Sequence, residues 1–151
     1  MQFPSTIFTD SPDRTERIGA ELAELILKDS SLPNFIALYG DLGVGKTAFV
    51  RGFTSEVSPG ARVKSPTFAL VNEYRIKGGK NPPVFHFDMY RINDEDELYS
   101  IGFYDYLENG ICLVEWSENI EYALPKERFT VTIEKCSADE LDKRKITLVR
   151  S

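Results

Sequence analysis

The stretch that decides the fold is residues 35–57, which read FIALYGDLGVGKTAFVRGFTSEV. The apolar run Phe35–Tyr39 predicts a buried strand, and the good helix formers from Lys46 to about Val57 predict a helix. Between them, Gly40–Thr47 read GDLGVGKT and match the pattern G-x-x-x-x-G-K-[ST] in full. A strand, a glycine-rich turn and a helix in this order are the context that a phosphate-binding loop requires.

The residue types of this loop suit a nucleoside triphosphate. Its glycines permit backbone dihedrals that let consecutive N–H groups turn toward phosphate oxygens, and the positive end of the following helix faces the same anion. Lys46 is expected to reach the β- and γ-phosphates, and the Thr47 hydroxyl to ligate Mg²⁺. A glycine-rich surface turn is the less favoured alternative. The residues expected to bind the nucleotide in the loop are Gly40, Asp41, Leu42, Gly43, Val44, Gly45, Lys46 and Thr47.

Composition limits the class of protein. The 151 residues are 42% hydrophobic and 28% charged, which predicts one domain, residues 1–151, with a proper core. The net charge of −6 gives no general attraction to nucleic acid or anionic membrane, so strong direct nucleic-acid binding is not expected. The sequence predicts no signal peptide and no membrane span, which favours a cytoplasmic protein. Cys112 and Cys136 lack metal-site spacing and are expected to be free thiols.

Outside the loop, the sequence predicts an α/β fold with a mixed sheet flanked by helices, like that of the phosphate-loop NTPases. Antiparallel pairs are expected to distinguish it from a plain doubly wound sheet. The predicted elements are an edge strand at 5–9, a helix at 12–28, a hairpin of strands 68–76 and 83–90, short helices at 94–99 and 103–108, a strand at 111–114 buried on both faces, and a terminal hairpin of strands 129–134 and 145–149.

Two acidic residues are candidates to complete a hydrolytic site. Glu115 directly follows the apolar run 111–114, which predicts that it lies at the carboxyl edge of a central strand, beside the loop and its magnesium. The alternative is a strand-end carboxylate in solvent. Strand alternation places His86, Asp88 and Tyr90 on one face, which indicates either a site lining or a hydrogen-bond network at a sheet edge. His86 is the only histidine, and a structural role is favoured over metal ligation.

Weaker signals lie nearby. Thr67, in the segment SPTF, has a hydroxyl that suits contact with the γ-phosphate or magnesium in a switch loop, although Ser-Pro is also a common loop breaker. For Trp116, core packing and a site role remain equally open. Arg91 is expected to pair with a local carboxylate, with phosphate stabilisation as the alternative. For the adenine, Arg14 and Thr15 at the start of the first helix and the terminal hairpin are the expected contacts.

The sequence resembles the bacterial TsaE family of tRNA threonylcarbamoyladenosine biosynthesis ATPases. The resemblance rests on the motifs GDLGVGKT, VKSPTFALVNEY, HFDMYR, EDELYSIGFYDYL and ICLVEWSE, which occur in the family's order and spacing. It extends from the first helix to about Leu124, and the terminal hairpin matches only in outline. Val44 stands where alanine is common in the family. Since this residue contributes its backbone rather than its side chain to the loop, the difference hardly weakens the resemblance.

The resemblance implies a small cytoplasmic ATPase that uses ATP and Mg²⁺. It implies action with the TsaB and TsaD proteins in forming N6-threonylcarbamoyladenosine at position 37 of tRNAs that read ANN codons, with tRNA reached indirectly through that complex. It also implies that Lys46 and Thr47 bind phosphate and magnesium, that Glu115 assists the metal, and that Asp88 is needed for hydrolysis. The switch-like segment would be Ser65–Phe68, which contains Thr67.

Three other functions compete with this one. A GTPase would carry an Asn/Thr-Lys-x-Asp motif for guanine, which the sequence lacks. A small-molecule kinase would need an arginine-rich lid, and the arginines here are scattered. A nucleotide-dependent assembly switch, in which binding matters more than hydrolysis, stays open beside the ATPase.

Overall fold

A seven-stranded mixed sheet carries the candidate functional residues, and the computed structural model describes residues 1–41, 43–64, 66 and 70–151. The strands are β1 (Ser5–Thr9), β2 (Phe35–Tyr39), β3 (Val71–Tyr74), β4 (Val84–Asp88), β5 (Ile111–Glu115), β6 (Phe129–Ser137) and β7 (Glu140–Arg150). Their spatial order is β1-β7-β6-β2-β5-β4-β3. Strands β6, β2, β5 and β4 run parallel, and the pairs β1–β7, β6–β7 and β3–β4 are antiparallel. The fold is therefore the mixed α/β sheet that the sequence predicts.

The α-helices begin at or within one residue of their predicted starts, and a 3₁₀ helix is present in addition. They are α1 (Pro12–Lys28), α2 (Lys46–Val57), α3 (Glu95–Ser100), α4 (Phe103–Tyr106) and a 3₁₀ helix at Ser117–Ala123. Ser11 caps α1 by accepting a hydrogen bond from the Arg14 N–H, and Asp94 caps α3 in the same way through the Glu97 N–H. Within the described residues, no helix has the length and apolar character needed to cross a membrane.

Two apolar layers enclose the sheet. On one face, α1 and α2 pack together over β2, β5 and β6, with Leu22, Phe49 and Phe53 fully buried. On the other face, residues of α3, α4 and the 3₁₀ helix cover Phe87 and Val114. Strand β5 is thus buried on both sides along its whole length, as its continuous apolar run predicts.

The crossing of α1 and α2 depends on two glycines. A Cβ on Gly19 would lie 2.2 Å from the Phe49 carbonyl oxygen, and one on Gly52 would lie 1.8 Å from the Glu16 carbonyl oxygen. Because both neighbours are backbone atoms, neither can yield without moving a helix. The close approach sets the position of α2, and hence of the phosphate loop that precedes it.

We expect Gly52→Ala to destabilise the fold strongly. Separating the two helices would cost roughly 2–3 kcal/mol of unfolding free energy, or about 5–10 °C in Tm for a chain of this length. Ser55→Ala, at an exposed position of the same helix, is the matched control and should change the unfolding free energy by less than about 0.5 kcal/mol. Thermal unfolding followed by circular dichroism measures both. Equal Tm values for the two variants would show that the helix crossing tolerates a side chain.

The structure corrects some predicted boundaries. The strands of the terminal hairpin are longer than predicted, since they span Phe129–Ser137 and Glu140–Arg150 rather than 129–134 and 145–149. The outer half of the hairpin escapes prediction because its residues are mostly exposed and show no apolar alternation. Strand β3 is shorter than 68–76, since Arg75 and Ile76 lie beyond it, and residues 68 and 69 lie outside the described part of the chain. The 3₁₀ helix is an element that the sequence does not predict.

Candidate functional site

The phosphate loop joins the carboxyl end of β2 to the amino end of α2. Gly40, Gly43 and Gly45 have φ values of 145°, 78° and 113°, which lie in the left-handed region that favours glycine. A Cβ on Gly40 would also lie 2.6 Å from the Ile133 carbonyl oxygen of the neighbouring strand β6. The glycines of the motif are thus required by the backbone itself. Leu42 lies outside the described residues.

Lys46 lies over the loop as the first residue of α2. Its side chain is nearly buried, and Nζ donates a hydrogen bond of 2.6 Å to the Gly40 carbonyl oxygen. The same ammonium lies 4.5 Å from the centre of the Trp116 ring, close enough for a cation–π attraction. The lysine is therefore held at the mouth of the loop by partners that a phosphate group can replace.

One cleft of about 490 Å³ gathers the predicted chemistry at the carboxyl edges of β2, β4 and β5. Lys46, Thr47, Asp88 and Glu115 all contribute to it. Pro66 and Leu70, on either side of Thr67, also line it, whereas Thr67 itself falls outside the described residues. The complete lining among the described residues is Gly43, Gly45, Lys46, Thr47, Pro66, Leu70, Asp88, Tyr90, Arg91, Glu115 and Trp116.

Glu115 is buried beside the loop, not exposed at the end of its strand. Its side chain is only 8% exposed, and Oε2 lies 2.5 Å from Nε2 of the fully buried His86. The parallel pairing of β4 and β5 sets Asp88 opposite Glu115 and His86 opposite Leu113. His86 thus fixes one carboxylate oxygen of Glu115 from beneath the cleft. Of the three residues predicted for the polar face of β4, Asp88 and Tyr90 line the cleft, and His86 is buried in a hydrogen bond with Glu115.

Asp88 lies at the carboxyl end of β4 in a half-buried position, and its Oδ1 accepts a hydrogen bond of 3.0 Å from the Tyr90 N–H. Burial raises the pKa of the Asp88 carboxyl above its usual range, and the negative charge of Glu115 raises it further. The Tyr90 N–H, His86 and Lys46 partly offset that rise. A carboxylate with a raised pKa is a stronger proton acceptor than an ordinary surface aspartate.

The oxygen atoms in this cleft are of the kind that a magnesium ion prefers. Mg²⁺ prefers hard oxygen ligands and is usually held by one or two protein side chains together with phosphate oxygens and waters. Thr47 offers a hydroxyl, and Glu115 a carboxylate that is oriented by His86. Across the described residues, no group of three or more His, Cys, Asp or Glu side chains is placed to hold a metal.

Trp116 and Arg91 border the same cleft. The Trp116 backbone has a φ of 58°, unusual for a residue other than glycine, and its ring packs 4.9 Å from that of Tyr90. Trp116 therefore combines partial packing with a position at the site. Arg91 is exposed and lines the cleft, and the local ion pair expected for it is not formed with any carboxylate of the described residues.

The residues expected near the adenine separate into two places. Arg14 lines a second cleft of about 430 Å³ together with Cys136, Glu140 and Lys143 of the terminal hairpin. Thr15 is instead buried, and its hydroxyl lies 3.0 Å from that of Thr9. Its methyl group lies near Gly45 of the loop, 3.9 Å from where a Cβ on that glycine would be. The contact of Thr15 with a nucleotide stays a prediction.

Sequence reasoning missed two supports of the loop. The Arg144 side chain of β7 donates a hydrogen bond to the Val44 carbonyl oxygen, and no local pattern links residues that are 100 positions apart. The Val44 side chain is also 2% exposed and belongs to the core. The Val44 side chain thus has a packing role in the core, and the contribution of its backbone to nucleotide binding stays a prediction.

Comparison with known proteins identifies close relatives. The family model of the threonylcarbamoyl adenosine biosynthesis protein TsaE matches residues 9–146. The Haemophilus influenzae tRNA threonylcarbamoyladenosine biosynthesis protein TsaE is 41% identical over 78% of this chain and 74% of its own length. The Bacillus subtilis protein of the same name is 38% identical over 87% of this chain and 78% of its own length. The crystal structure of Bacillus subtilis YdiB superposes with a TM-score of 0.67 at 30% identity, covering 98% of this chain and 87% of that one.

Proposed function

This chain belongs to the TsaE family of threonylcarbamoyl adenosine biosynthesis proteins, and on that premise we propose that it binds ATP with Mg²⁺, hydrolyses it, and acts in the threonylcarbamoyladenosine modification of tRNA. One observation carries the proposal: Lys46, Thr47, Asp88 and Glu115 share a single cleft at the carboxyl edge of the sheet. These are the charge, the hydroxyl and the two acids that nucleotide hydrolysis needs in one place.

Binding would begin with an exchange of partners at Lys46. The ammonium, held by the Gly40 carbonyl oxygen and the Trp116 ring, would turn to the β- and γ-phosphates. Backbone N–H groups of the loop would surround the β-phosphate, with the amino end of α2 facing the same charge. Lys46 moves only within the cleft, so binding requires no change in the core.

Hydrolysis would place a water molecule in line with the γ-phosphorus. The water oxygen attacks phosphorus, the bond to the β-phosphate oxygen breaks, and the products are ADP and inorganic phosphate. We assign the proton of that water to Asp88, whose raised pKa suits a proton acceptor. Thr47 and Glu115 would hold magnesium, which supplies neutralisation of charge on the phosphate oxygens.

The cleft mouth supports a partner-dependent reaction. Tyr90 is 58% exposed there beside Arg91 and Trp116, and an exposed aromatic residue next to an arginine is typical of binding hot spots. We propose that the TsaB and TsaD proteins dock at this mouth and that tRNA is reached through them. Contact between the γ-phosphate and the Thr67 hydroxyl, a residue outside the described part of the chain, would make ATP the signal for assembly.

We expect slow hydrolysis by the chain alone and faster hydrolysis with a purified TsaB–TsaD pair. ATP should favour the complex and ADP should loosen it. Tyr90→Ala should weaken capture by the pair about tenfold or more, as loss of a hot-spot residue does. Ile76→Ala is the control, because Ile76 is an exposed apolar residue that follows β3. It therefore lies near the start of β4, at the end of that strand opposite to Tyr90.

A phosphate-release assay and a pull-down in ATP or ADP measure these effects. If the pair neither binds nor alters turnover with either nucleotide, the partner proposal is wrong while ATP hydrolysis stands. Competition by GTP and transfer of labelled phosphate to small acceptors test the GTPase and kinase alternatives in the same preparation.

A further inference from the structure

Arg144 joins the terminal hairpin to the phosphate loop. Its Nε donates a hydrogen bond of 2.7 Å to the Val44 carbonyl oxygen. Its Nη1 donates to the carbonyl oxygens of Leu141 and Lys143, at 2.6 Å and 2.9 Å. One guanidinium thus links the phosphate loop to the terminal hairpin, although Val44 and Arg144 are 100 positions apart in the sequence. Arginine suits this task because its donors form a rigid, planar fork.

The carbonyl that Arg144 holds belongs to the Val44–Gly45 peptide. In a planar trans peptide the C=O and the following N–H point in opposite directions. Gly45 lines the cleft, whereas neither Val44 nor Arg144 is among the described residues that line it. The Val44 carbonyl oxygen bound by Arg144 therefore points away from the cleft, and the Gly45 N–H, on the other side of the peptide, points toward it. On the cleft side, backbone N–H groups of such loops meet the phosphates of a nucleotide.

The peptide needs an anchor because of the residue that follows it. Gly45 has a φ of 113°, and without a side chain its backbone has little intrinsic preference for one orientation. Val44 is fixed at other points: its side chain is buried in the core, and its N–H donates to the Asp41 carbonyl oxygen at 3.4 Å. The hydrogen bond from Arg144 fixes the remaining carbonyl oxygen of Val44.

We propose that Arg144 is a positioning residue that holds the Gly45 N–H toward the nucleotide phosphates, which makes the terminal hairpin part of the nucleotide site. This inference rests on the proposed ATP binding. If it is correct, loss of the Arg144 donors should weaken nucleotide binding and leave the chemical step nearly unchanged. ATP and ADP should be affected alike, because the β-phosphate that such an N–H contacts is present in both.

The test compares Arg144→Met, which keeps the side-chain stem and removes all donors, with Arg144→Lys, which keeps one donor group. Arg150→Met, in the same strand, is the matched control. The affinities for ATP and for ADP come from calorimetric titration, kcat from phosphate release, and the orientation of the loop peptide from the amide NMR signal of Gly45 in the nucleotide-free chain.

Arg144→Met should weaken ATP and ADP binding each by about tenfold, the value of one hydrogen bond to a charged acceptor, with a much smaller change in kcat. Arg144→Lys should fall between it and the parental chain, Arg150→Met should match the parental chain, and the Gly45 signal should shift only in the Arg144 variants. If Arg144→Met does not fold, Arg144→Lys decides alone.

Nucleotide affinities of folded Arg144→Met within twofold of the parental values would overturn the inference. So would an unchanged Gly45 signal, which would reduce Arg144 to a structural tether. If the parental chain itself binds no ATP, the proposed function fails, and the Gly45 signal still decides whether Arg144 orients the loop.

Discussion

Lys46→Ala is expected to lower ATP hydrolysis by roughly 10²–10³-fold while the chain stays folded. The ammonium is placed to stabilise negative charge that develops on the phosphates within a largely buried cleft, where electrostatic stabilisation is worth more than in water. The fold should survive because the side chain contacts the Gly40 carbonyl oxygen and the Trp116 ring at the cleft, not the apolar core.

Phosphate release measures the loss, and circular dichroism reports the fold. Lys46→Met keeps the stem without the charge and should lose as much activity as the alanine variant, which separates charge from packing. Lys77→Ala removes an exposed lysine of a surface turn and should hydrolyse ATP at the parental rate. A folded Lys46→Ala chain with parental turnover would remove the lysine from the site.

Asp88→Asn and Glu115→Gln are expected to fail in different ways. If Asp88 accepts the proton of the attacking water, Asp88→Asn should lower turnover by roughly 10²–10⁴-fold and leave the affinity for ATP nearly unchanged. If Glu115 helps to hold the metal, Glu115→Gln should raise the Mg²⁺ concentration that activity requires. Glu115→Gln retains an oxygen and a shape that can still pair with His86, so loss of charge is the main change.

Titrations with a fluorescent nucleotide over a magnesium series, beside phosphate release, separate the two roles. Neither variant should alter nucleotide binding in the absence of metal. Equal weakening of metal-free binding by both substitutions would contradict this division of labour and would indicate that the two acids act together on the loop.

The central part of the site can be predicted from the sequence because its determinants are local. Three contiguous segments form it: the apolar run Phe35–Tyr39, the phosphate loop and the start of α2. The residue types of each segment are enough to predict its local structure. Glu115 is also predictable, since a carboxylate directly after a continuous apolar run must emerge at the end of a buried strand. Alternation along β4 likewise separates the face of His86 and Asp88 from the face of Phe87.

The supports of the site depend on strand order, which no local pattern encodes. The bond between His86 and Glu115 exists because β4 lies next to β5. Arg144 reaches Val44 because β7 pairs with β6, which lies next to β2. The burial of Val44 follows from the same packing. Long-range pairing of this kind has to be observed, because a sequence motif reports residue types but not the neighbours that a fold brings to them.

The most direct test of the central claim, that this cleft is an ATP site, is a titration of the chain with ATP and Mg²⁺ followed by Trp116 fluorescence. Trp116 is the only tryptophan, and its ring lies 4.5 Å from the Lys46 ammonium that binding would move. We predict a saturable change in emission that ADP competes away and that Lys46→Met greatly weakens. An emission that does not respond to ATP at millimolar concentration, with calorimetry also showing no binding, would contradict the claim.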